Sequence, residues 1–346
     1  MVKVAVVILN WNGKHYLDKF LPTVVSNSLN DDVEVWVADN GSTDDSISYI
    51  ETAFPKVKLI KFDKNYGFTG GYNKALAQIE AEFYVLLNSD VEVTKDWLQP
   101  LISYMEQHEN VGAAMPKLLS FNSINEFEYA GAAGGFIDKL GFPFCRGRIL
   151  NVTENDNGQY NKVSEVFWAT GACMFVRSSV YHGLGGLDND FFAHMEEIDL
   201  CWRMKNRGYK VMYIPDSVVY HVGGGTLPNN NPHKLFLNYR NNLYLLYKNL
   251  PQGSFRGILL FRMILDGASA LMYLLQGKFS FFLAVPRAHF AFYTTLQKFR
   301  NKRIENNKKR TVTHHNEIFQ RSIIYSFFVR KVRKFSNLSP KGWRLN

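Results

Sequence analysis

The sequence predicts an α/β fold: a mostly parallel sheet with helices on both faces, followed by a basic helical region. Three observations carry this. Short β-branched runs alternate with amphipathic helical stretches across residues 1–110. Polar turn-forming clusters at Asn10–Gly13, Asp39–Asp44 and Asn88–Asp90 close three of those runs. Open α/β sheets bind ligands there, beyond the carboxyl ends of their strands. The charge also divides sharply: residues 1–228 hold 19 Lys+Arg against 28 Asp+Glu, whereas residues 229–346 hold 21 against 3.

Val2–Asn10 is an apolar run closed by the turn Asn10-Trp11-Asn12-Gly13, and reads as a strand. Lys14–Asn27 has apolar residues at helical spacing. Val33–Ala38 is a second strand, and Thr43 or Asp44 can cap the helix that runs toward Phe54. Val57–Phe62 is a third strand, Gly70–Ile79 a helix, Glu82–Leu87 a fourth strand and Asp96–His108 a helix. Gly-rich and aromatic segments follow. Among them Phe167–Arg177 reads as a strand, Glu196–Arg207 as a helix, and Lys210–His221 as two short strands around Pro215. Residues 1–110 and 111–228 are therefore expected to be two halves of one domain.

With 46% hydrophobic and 21% charged residues, the chain of 346 is globular material rather than a disordered segment. Cys145, Cys173 and Cys201 are scattered, as in a cytoplasmic protein with reduced, buried thiols. The opening MVKVAVVILN is too short an apolar run for a signal peptide. An acidic region can hold a polyanion only with help from a cation, whereas the basic region suits an anionic surface. No nucleic-acid-binding module accompanies that charge, so nucleic acid is not an expected partner. Ile258–Val285 is strongly apolar but interrupted by Arg262, Asp266 and Lys278, which favours helices lying in a membrane interface over a spanning helix. Lys298–Arg310 adds seven basic residues and one acid, and Ile323–Lys334 is a further apolar-basic segment.

Candidate chemistry sits at the strand ends. Asp39 is either a turn aspartate or a carboxylate that accepts hydrogen bonds from a base or ribose. Asn65–Asn73 places Gly67, Gly70 and Gly71 just before a helix, where backbone can approach a phosphate or sugar. Asp90 ends Val85-Leu86-Leu87-Asn88-Ser89-Asp90, and a carboxylate there, with two phosphates, suits Mg²⁺ or Mn²⁺. Glu196 and Asp199 share a helix face while Glu197 points elsewhere; close carboxylates raise each other's pKa toward general-base range. An acidic first turn favoured by the macrodipole, with ion pairing to Arg203 and Arg207, is the plainer alternative. His221 ends a strand ahead of Gly223-Gly224-Gly225-Thr226 and is either structural or a third ligand to metal or phosphate.

Taken together, these stretches resemble the GT-A glycosyltransferase family 2, particularly its bacterial rhamnosyltransferase-like members. The resemblance runs through Val7–Gly13, Val37–Asp44, Asn65–Asn73, Leu86–Asp90, Gly171–Arg177, Gly185–Asp188, Phe191–Arg203 and Val219–Thr226, covering residues 3–250. It implies a GT-A fold and inverting transfer from a nucleotide-diphosphate sugar, dTDP-rhamnose first and UDP-sugars next. The acceptor would be a glycan or lipid-linked molecule of bacterial cell-surface polysaccharide synthesis. Residues 1–110 would be the nucleotide-sugar half and 111–228 the acceptor half. Residues 229–346 would attach the protein, peripherally or monotopically, to the anionic inner face of the cell membrane.

The resemblance also implies roles. Asn10, Asn12, Asp39, Asn65, Gly67, Phe68, Gly70, Gly71, Asn73, Asn88 and Asp90 would line the donor site. Asp90 matches the last acid of the family's DXD motif, with Asn88 replacing the first, so metal rests on Asp90 and His221. Glu197 stands at the base position, one methylene longer than the usual Asp, with Glu196 in reserve. Trp168, Asp199 and Arg203 would support the acceptor side.

Other functions predict other residues. A nucleotidyltransferase would carry a Gly-rich basic loop after the first strand, which Asn10–Lys14 lacks. A processive synthase would carry several spanning helices and a Gln-x-x-Arg-Trp motif. A non-catalytic adaptor that binds nucleotide-sugars at a membrane would not need Asp39, Asp90, Glu197 and His221 together.

Overall fold

A computed structural model describes residues 1–223, 231–253 and 255–343. The Gly224-Gly225-Thr226 stretch and the 228/229 boundary lie outside the described residues. The chain alternates β1 (Val2–Asn10), α1 (Lys14–Ser28), β2 (Val33–Asp39), α2 (Ser46–Ala53), β3 (Lys58–Lys61), α3 (Gly67–Leu76), β4 (Ala81–Asn88), β5 (Val91–Val93), α4 (Leu98–Gln107) and β6 (Val111–Ser120). Four short strands follow: β7 (Gly135–Asp138), β8 (Pro143–Cys145), β9 (Arg148–Ile149) and β10 (Val152–Thr153). Then come β11 (Ser164–Glu165), β12 (Cys173–Arg177), α5 (Ser178–Gly183), α6 (Glu196–Asn206) and β13 (Lys210–His221). The tail is α7 (Pro232–Asn249), α8 (Phe255–Leu275), α9 (Phe279–Thr294), α10 (Leu296–Lys308), β14 (Ile318–Phe319) and α11 (Ile323–Phe328).

The main sheet has the order β11-β13-β6-β12-β4-β1-β2-β3, with β5 on β13. β1, β2, β3 and β4 are parallel, and β13 is parallel to β6; β12, β5 and β11 run antiparallel to their neighbours. Because β1, β2, β4 and β13 point the same way, Asn10, Asp39, Asn88 and His221 end on one edge. Helices cover both faces, so Val85, Leu86 and Leu87 of β4 are all buried, which is why the strand reads as a continuous apolar run. All three cysteines are free and buried.

Three elements differ from the sequence expectation. Helix α3 begins at Gly67 rather than Gly70, because the Asn65 side chain accepts from the Gly67 amide at 2.8 Å. β13 is one strand, whose register on β6 shifts between Ile214 and Val218, around the donor-less Pro215. β12 begins only at Cys173, since Phe167 and Trp168 both donate to the Gly135 carbonyl and belong to a different pairing.

The tail is built into the rest of the fold. β14 pairs in parallel with β7, completing a second sheet of order β10-β9-β8-β7-β14. Asp138 accepts from the Ile323 amide at 2.8 Å, and Phe335 and Trp343 pack on Phe136 and Phe144. Part of the tail's positive charge is paired internally. Lys248 contacts Asp188 at 2.6 Å and Asp199 at 2.8 Å, Lys298 reaches Asp190, and Lys302 bridges Asp188 and Asp190.

By length and composition α8 could cross a membrane. Arg262 and Asp266, however, are buried against the protein, while Arg256 in its first turn is exposed. Arg262 bonds Asp266 at 2.7 Å and Asn242 at 2.6 Å, and Asp266 faces His289 at 3.2 Å. The outward face keeps Leu260, Phe261, Ile264, Leu271, Met272 and Leu275, all at least half exposed.

Candidate active site

At the shared sheet edge, Asn10 and Asp39 lie side by side in register. The Asn10 amide donates to Asp39 Oδ2 at 3.0 Å, and the Ser42 N–H donates to Asp39 Oδ1 at 2.8 Å. Asp39 is fully buried, so its carboxylate orders the Asn40–Asp44 loop rather than facing solvent. Asn12, exposed and in the left-handed region at φ 50°, accepts from the Thr43 N–H at 2.8 Å and stands at the mouth of this corner.

The glycine loop is not an open anion cradle. The Gly67 N–H is taken by Asn65, and the Phe68 and Thr69 N–H groups both donate to the Phe192 carbonyl, at 2.9 and 3.2 Å. A helix start whose first amides are satisfied has little left for a phosphate. Gly67 itself, at φ +72°, lies under the Phe192 ring, where a Cβ would come within 2.5 Å. Gly71 serves packing: a Cβ there would meet Leu9 at 2.6 Å. Gly70, also buried, is in the same turn.

Two expected contacts are corrected. The Asn73 amide donates to the Leu187 carbonyl and Asn189 Oδ1, and accepts from the Tyr181 hydroxyl and the Leu187 N–H. Its hydrogen-bonding capacity is filled, so it fixes the 187–189 turn instead of reaching a sugar. Trp168 is buried with its indole N–H on the Phe136 carbonyl at 2.9 Å, and its ring lies where a Cβ on Gly135 would be. No face remains for acceptor stacking.

Asp90 and His221 do meet. Asp90 Oδ1 lies 3.1 Å from His221 Nε2, and His221 Nδ1 lies 3.2 Å from Glu128 Oε1. Glu128 in turn accepts from the Ala130 and Gly131 N–H groups. Burial opposes charge on this imidazole, but Glu128 and Asp90 outweigh it and raise His221 to about 10. The same contact with His221 holds Asp90 below its ordinary value against burial. Two donors about 2.1 Å from one octahedral ion and at right angles stand about 3 Å apart, so the Asp90–His221 pair has the spacing of adjacent positions on Mg²⁺ or Mn²⁺, and a cation there would displace the proton that now joins Nε2 to the carboxylate. The described residues hold no group of three or more His, Cys, Asp or Glu able to bind a metal. The remaining ligands would be oxygens of diphosphate or water. Asn88 stands beside this pair at the end of β4, its N–H on the Ala172 carbonyl at 2.9 Å. Glu128 lies in an irregular segment, where no sequence pattern marked it.

Across from these residues stands the first turn of α6, with Glu196, Glu197 and Asp199. Their fates differ. Asp199 pairs with Arg203 at 2.8 Å and with Lys248, and accepts from Asn249. Burial raises its carboxyl, but Lys248 and Arg203 hold it below the ordinary value. Arg203 also binds the Leu184 and Gly186 carbonyls, so this pair is a structural bracket. Among the described residues Glu196 and Glu197 have no such partner, and one carboxylate oxygen of each is buried without a hydrogen bond. Burial lifts Glu197 to about 7, while Glu196, more deeply buried and beside Glu197, is raised further. Glu197 remains partly accessible, whereas Glu196 is 4% exposed. Gly171 brings α3 and α6 together: a Cβ there would lie 3.3 Å from the Phe68 ring and 3.9 Å from Glu197 Cβ.

The approach to α6 is strained. Phe192, His194 and Met195 all adopt positive φ, at 66°, 71° and 71°. Such residues cost roughly 1–3 kcal/mol each and persist only when their surroundings fix them. Here α7 fixes them. Asn241 Nδ2 lies within 2.9 Å of the Phe191, Ala193 and His194 carbonyls, and Arg240 reaches the Asp190 and Phe191 carbonyls. Both belong to the polar interruption Asn238–Asn242 of an otherwise apolar helical pattern, which was the legible sign of a buried polar role.

An N-acetylglucosaminyl-diphospho-decaprenol L-rhamnosyltransferase of Mycobacterium tuberculosis is 25% identical over 232 residues, covering 62% of this chain and 75% of its own. Rhamnosyltransferase WbbL of Escherichia coli is 26% identical over 157 residues, 43% of this chain and 58% of its own. In fold, the Pyrobaculum calidifontis mannosyltransferase PcManGT, solved with GDP-Man and Mn²⁺, superposes at TM-score 0.53 with 16% identity over 89% of this chain and 86% of that one. TarS of S. aureus, residues 1–349, solved with UDP-GlcNAc, gives 0.53 with 17% identity over 88% and 89%. The model of Glycosyl transferase family 2 matches residues 5–185, and with these strand-end residues and this GT-A-like sheet, the chain belongs to that family of nucleotide-sugar glycosyltransferases.

Proposed function

We propose that this glycosyltransferase performs a single inverting, metal-dependent displacement with Glu197 as base. The observation that carries the reading is the Glu197 carboxylate: one oxygen buried without a partner, raised to about 7, and set against Gly171 opposite Phe68. A base with that affinity for a proton is matched to neutral pH. Glu197 takes the proton of an acceptor hydroxyl as its oxygen attacks the anomeric carbon, and the bond to the nucleoside diphosphate breaks on the opposite face. Asp90 and His221 would hold Mg²⁺ or Mn²⁺. Bound there, the cation neutralises charge developing on the leaving diphosphate. Asn10, Asn12 and the Asp39-ordered loop border the nucleotide end.

The donor we favour is dTDP-rhamnose, with UDP-sugars next, on the likeness to the two rhamnosyltransferases. The acceptor we favour is lipid-linked, in bacterial cell-surface polysaccharide synthesis. The exposed apolar face of α8 supports attachment at the cytoplasmic face of an anionic membrane. Incubation with labelled dTDP-rhamnose or UDP-sugars should give Mn²⁺- or Mg²⁺-dependent turnover that Glu197→Gln and Asp90→Ala each abolish. Full activity in both variants would overturn the assignment.

A further inference from the structure

Between the first turn of α7 and the middle of α9 lies a pocket of about 310 Å³, lined by Pro232, His233, Phe236, Ser280, Ala284 and Arg287. Its chemistry is mixed. Arg287 is exposed and has no acidic partner among the described residues, while His233 stacks on Phe236 at 6.0 Å and 18° to form a flat wall. Among the described residues no carboxylate lines the pocket, so its field favours an anion.

Two surroundings narrow the ligand. One is apolar: Ser280 follows Phe279, which is 60% exposed, and the α8–α9 turn carries Leu275, 80% exposed. With Leu271 and Met272, these residues make an apolar surface beside the pocket. A free phosphate needs no such surface, whereas a hydrocarbon chain does. The other is the base. Lys234 and His233, in the same turn of α7, act with burial to lower the His194 imidazole to about 4. His194 stands two residues before Glu196, and Asn241 holds its carbonyl from two turns further along α7. The pocket therefore opens beside the loop that carries the base.

We propose that this pocket seats the phosphate or diphosphate headgroup of a lipid-anchored acceptor, its chain lying along the exposed apolar face of α8 and α9. Arg287 and His233 face the phosphate, and the sugar beyond it extends toward Glu197. The inference rests on reading Glu197 as the base, but its test is separate.

Farnesyl diphosphate, inorganic pyrophosphate and farnesol are titrated into the full chain without donor. Farnesyl diphosphate is expected to bind at least tenfold more tightly than either of the other two. Arg287→Ala is expected to weaken it at least tenfold, Arg287→Lys to restore part of the loss, and Ser280→Trp to block the pocket while the fold stays intact by thermal denaturation. Pyrophosphate binding as tightly as farnesyl diphosphate would mean a free-phosphate site and overturn the proposal. Equal binding of farnesol, or no effect of Arg287→Ala and Ser280→Trp, would do the same. Nucleotide-sugar turnover and its loss in Glu197→Gln report independently on the base.

Discussion

The side-chain amide of Asn241 donates to the main-chain carbonyl of His194 at 2.8 Å, tying α7 to the strained residues that start the Glu197 helix. The same nitrogen serves Phe191 and Ala193, so one buried amide fixes a turn in which three non-glycine residues hold positive φ. The Phe192 carbonyl of that turn also receives the Phe68 and Thr69 amides, so donor loop and base helix share one support. Asn241→Ala leaves these carbonyls unmatched and should cost about 2–3 kcal/mol of stability. It should also lower kcat at least tenfold, with a smaller change in KM for the nucleotide-sugar, because base geometry is disturbed more than donor contacts. Steady-state kinetics beside thermal denaturation tests this, and an unchanged kcat in a destabilised variant would leave Asn241 a purely structural residue.

Glu197 couples activity to instability. Its carboxyl is raised to about 7 by burial, so its stabilising influence is full below the unfolded value near 4.5 and is lost as pH rises through 7. Glu197→Gln should therefore unfold at a higher temperature than the parent at pH 8, and the difference should shrink toward zero below pH 4.5, where Glu197 is protonated in both the folded and unfolded chain. The same substitution should lower transfer by roughly 10²–10⁴-fold, the range for losing a general base. In the parent, kcat/KM should rise with pH to a plateau above about 7. A pH-independent gain in stability would contradict the buried-carboxylate account.

The sequence was most legible where local pattern and final position coincide. Asn10, Asp39, Asn88 and His221 could be placed at strand ends because apolar runs stop there, and a parallel sheet collects such ends on one edge. Side-chain direction was not legible. Trp168 and Asn73 carry groups that suit sugars, yet burial and internal hydrogen bonds use them elsewhere. Glu128 reaches His221 through long-range folding of an irregular segment that has no periodicity to read. The charge division was plain in composition, but its meaning was partly internal: Lys248 and Lys302 neutralise Asp188, Asp190 and Asp199 across the α6–α7–α10 contact.

That ion network gives a prediction in acid. Asp188 and Asp199 are held below ordinary carboxylate values, since Lys248 with Lys302 or Arg203 outweighs the burial that would raise them. A depressed carboxylate contributes stability above its unfolded value near 3.8, and that stability is lost as pH falls toward the folded value. Lys248→Met leaves Asp188 to Lys302 alone and Asp199 to Arg203 and Asn249, and should destabilise the protein by about 1–3 kcal/mol at pH 7. The loss should shrink below pH 4, where the two carboxyls protonate. Denaturant titrations at pH 7 and pH 3.5 test this; equal losses at both would assign the effect to packing of the lysine stem instead.

The α8–α9 hairpin separates surface chemistry from fold stability. Leu271 and Leu275 are exposed on α8 and Phe279 begins α9, so replacing all three with Glu removes little packing. Surface changes of this kind usually stay within about 0.5 kcal/mol each. If the proposed membrane attachment uses this face, they should nevertheless abolish co-flotation with vesicles containing anionic phospholipid, because charge on it opposes burial in the interface. Arg262 is the reverse case. It is buried between Asp266 and Asn242 over the Phe142 ring, 3.8 Å from its centroid. Arg262→Leu leaves the buried Asp266 with His289 alone and should cost about 3–5 kcal/mol while co-flotation persists in the folded fraction. Loss of flotation from Arg262→Leu but not from the triple Glu variant would place the membrane contact on a different face of the molecule.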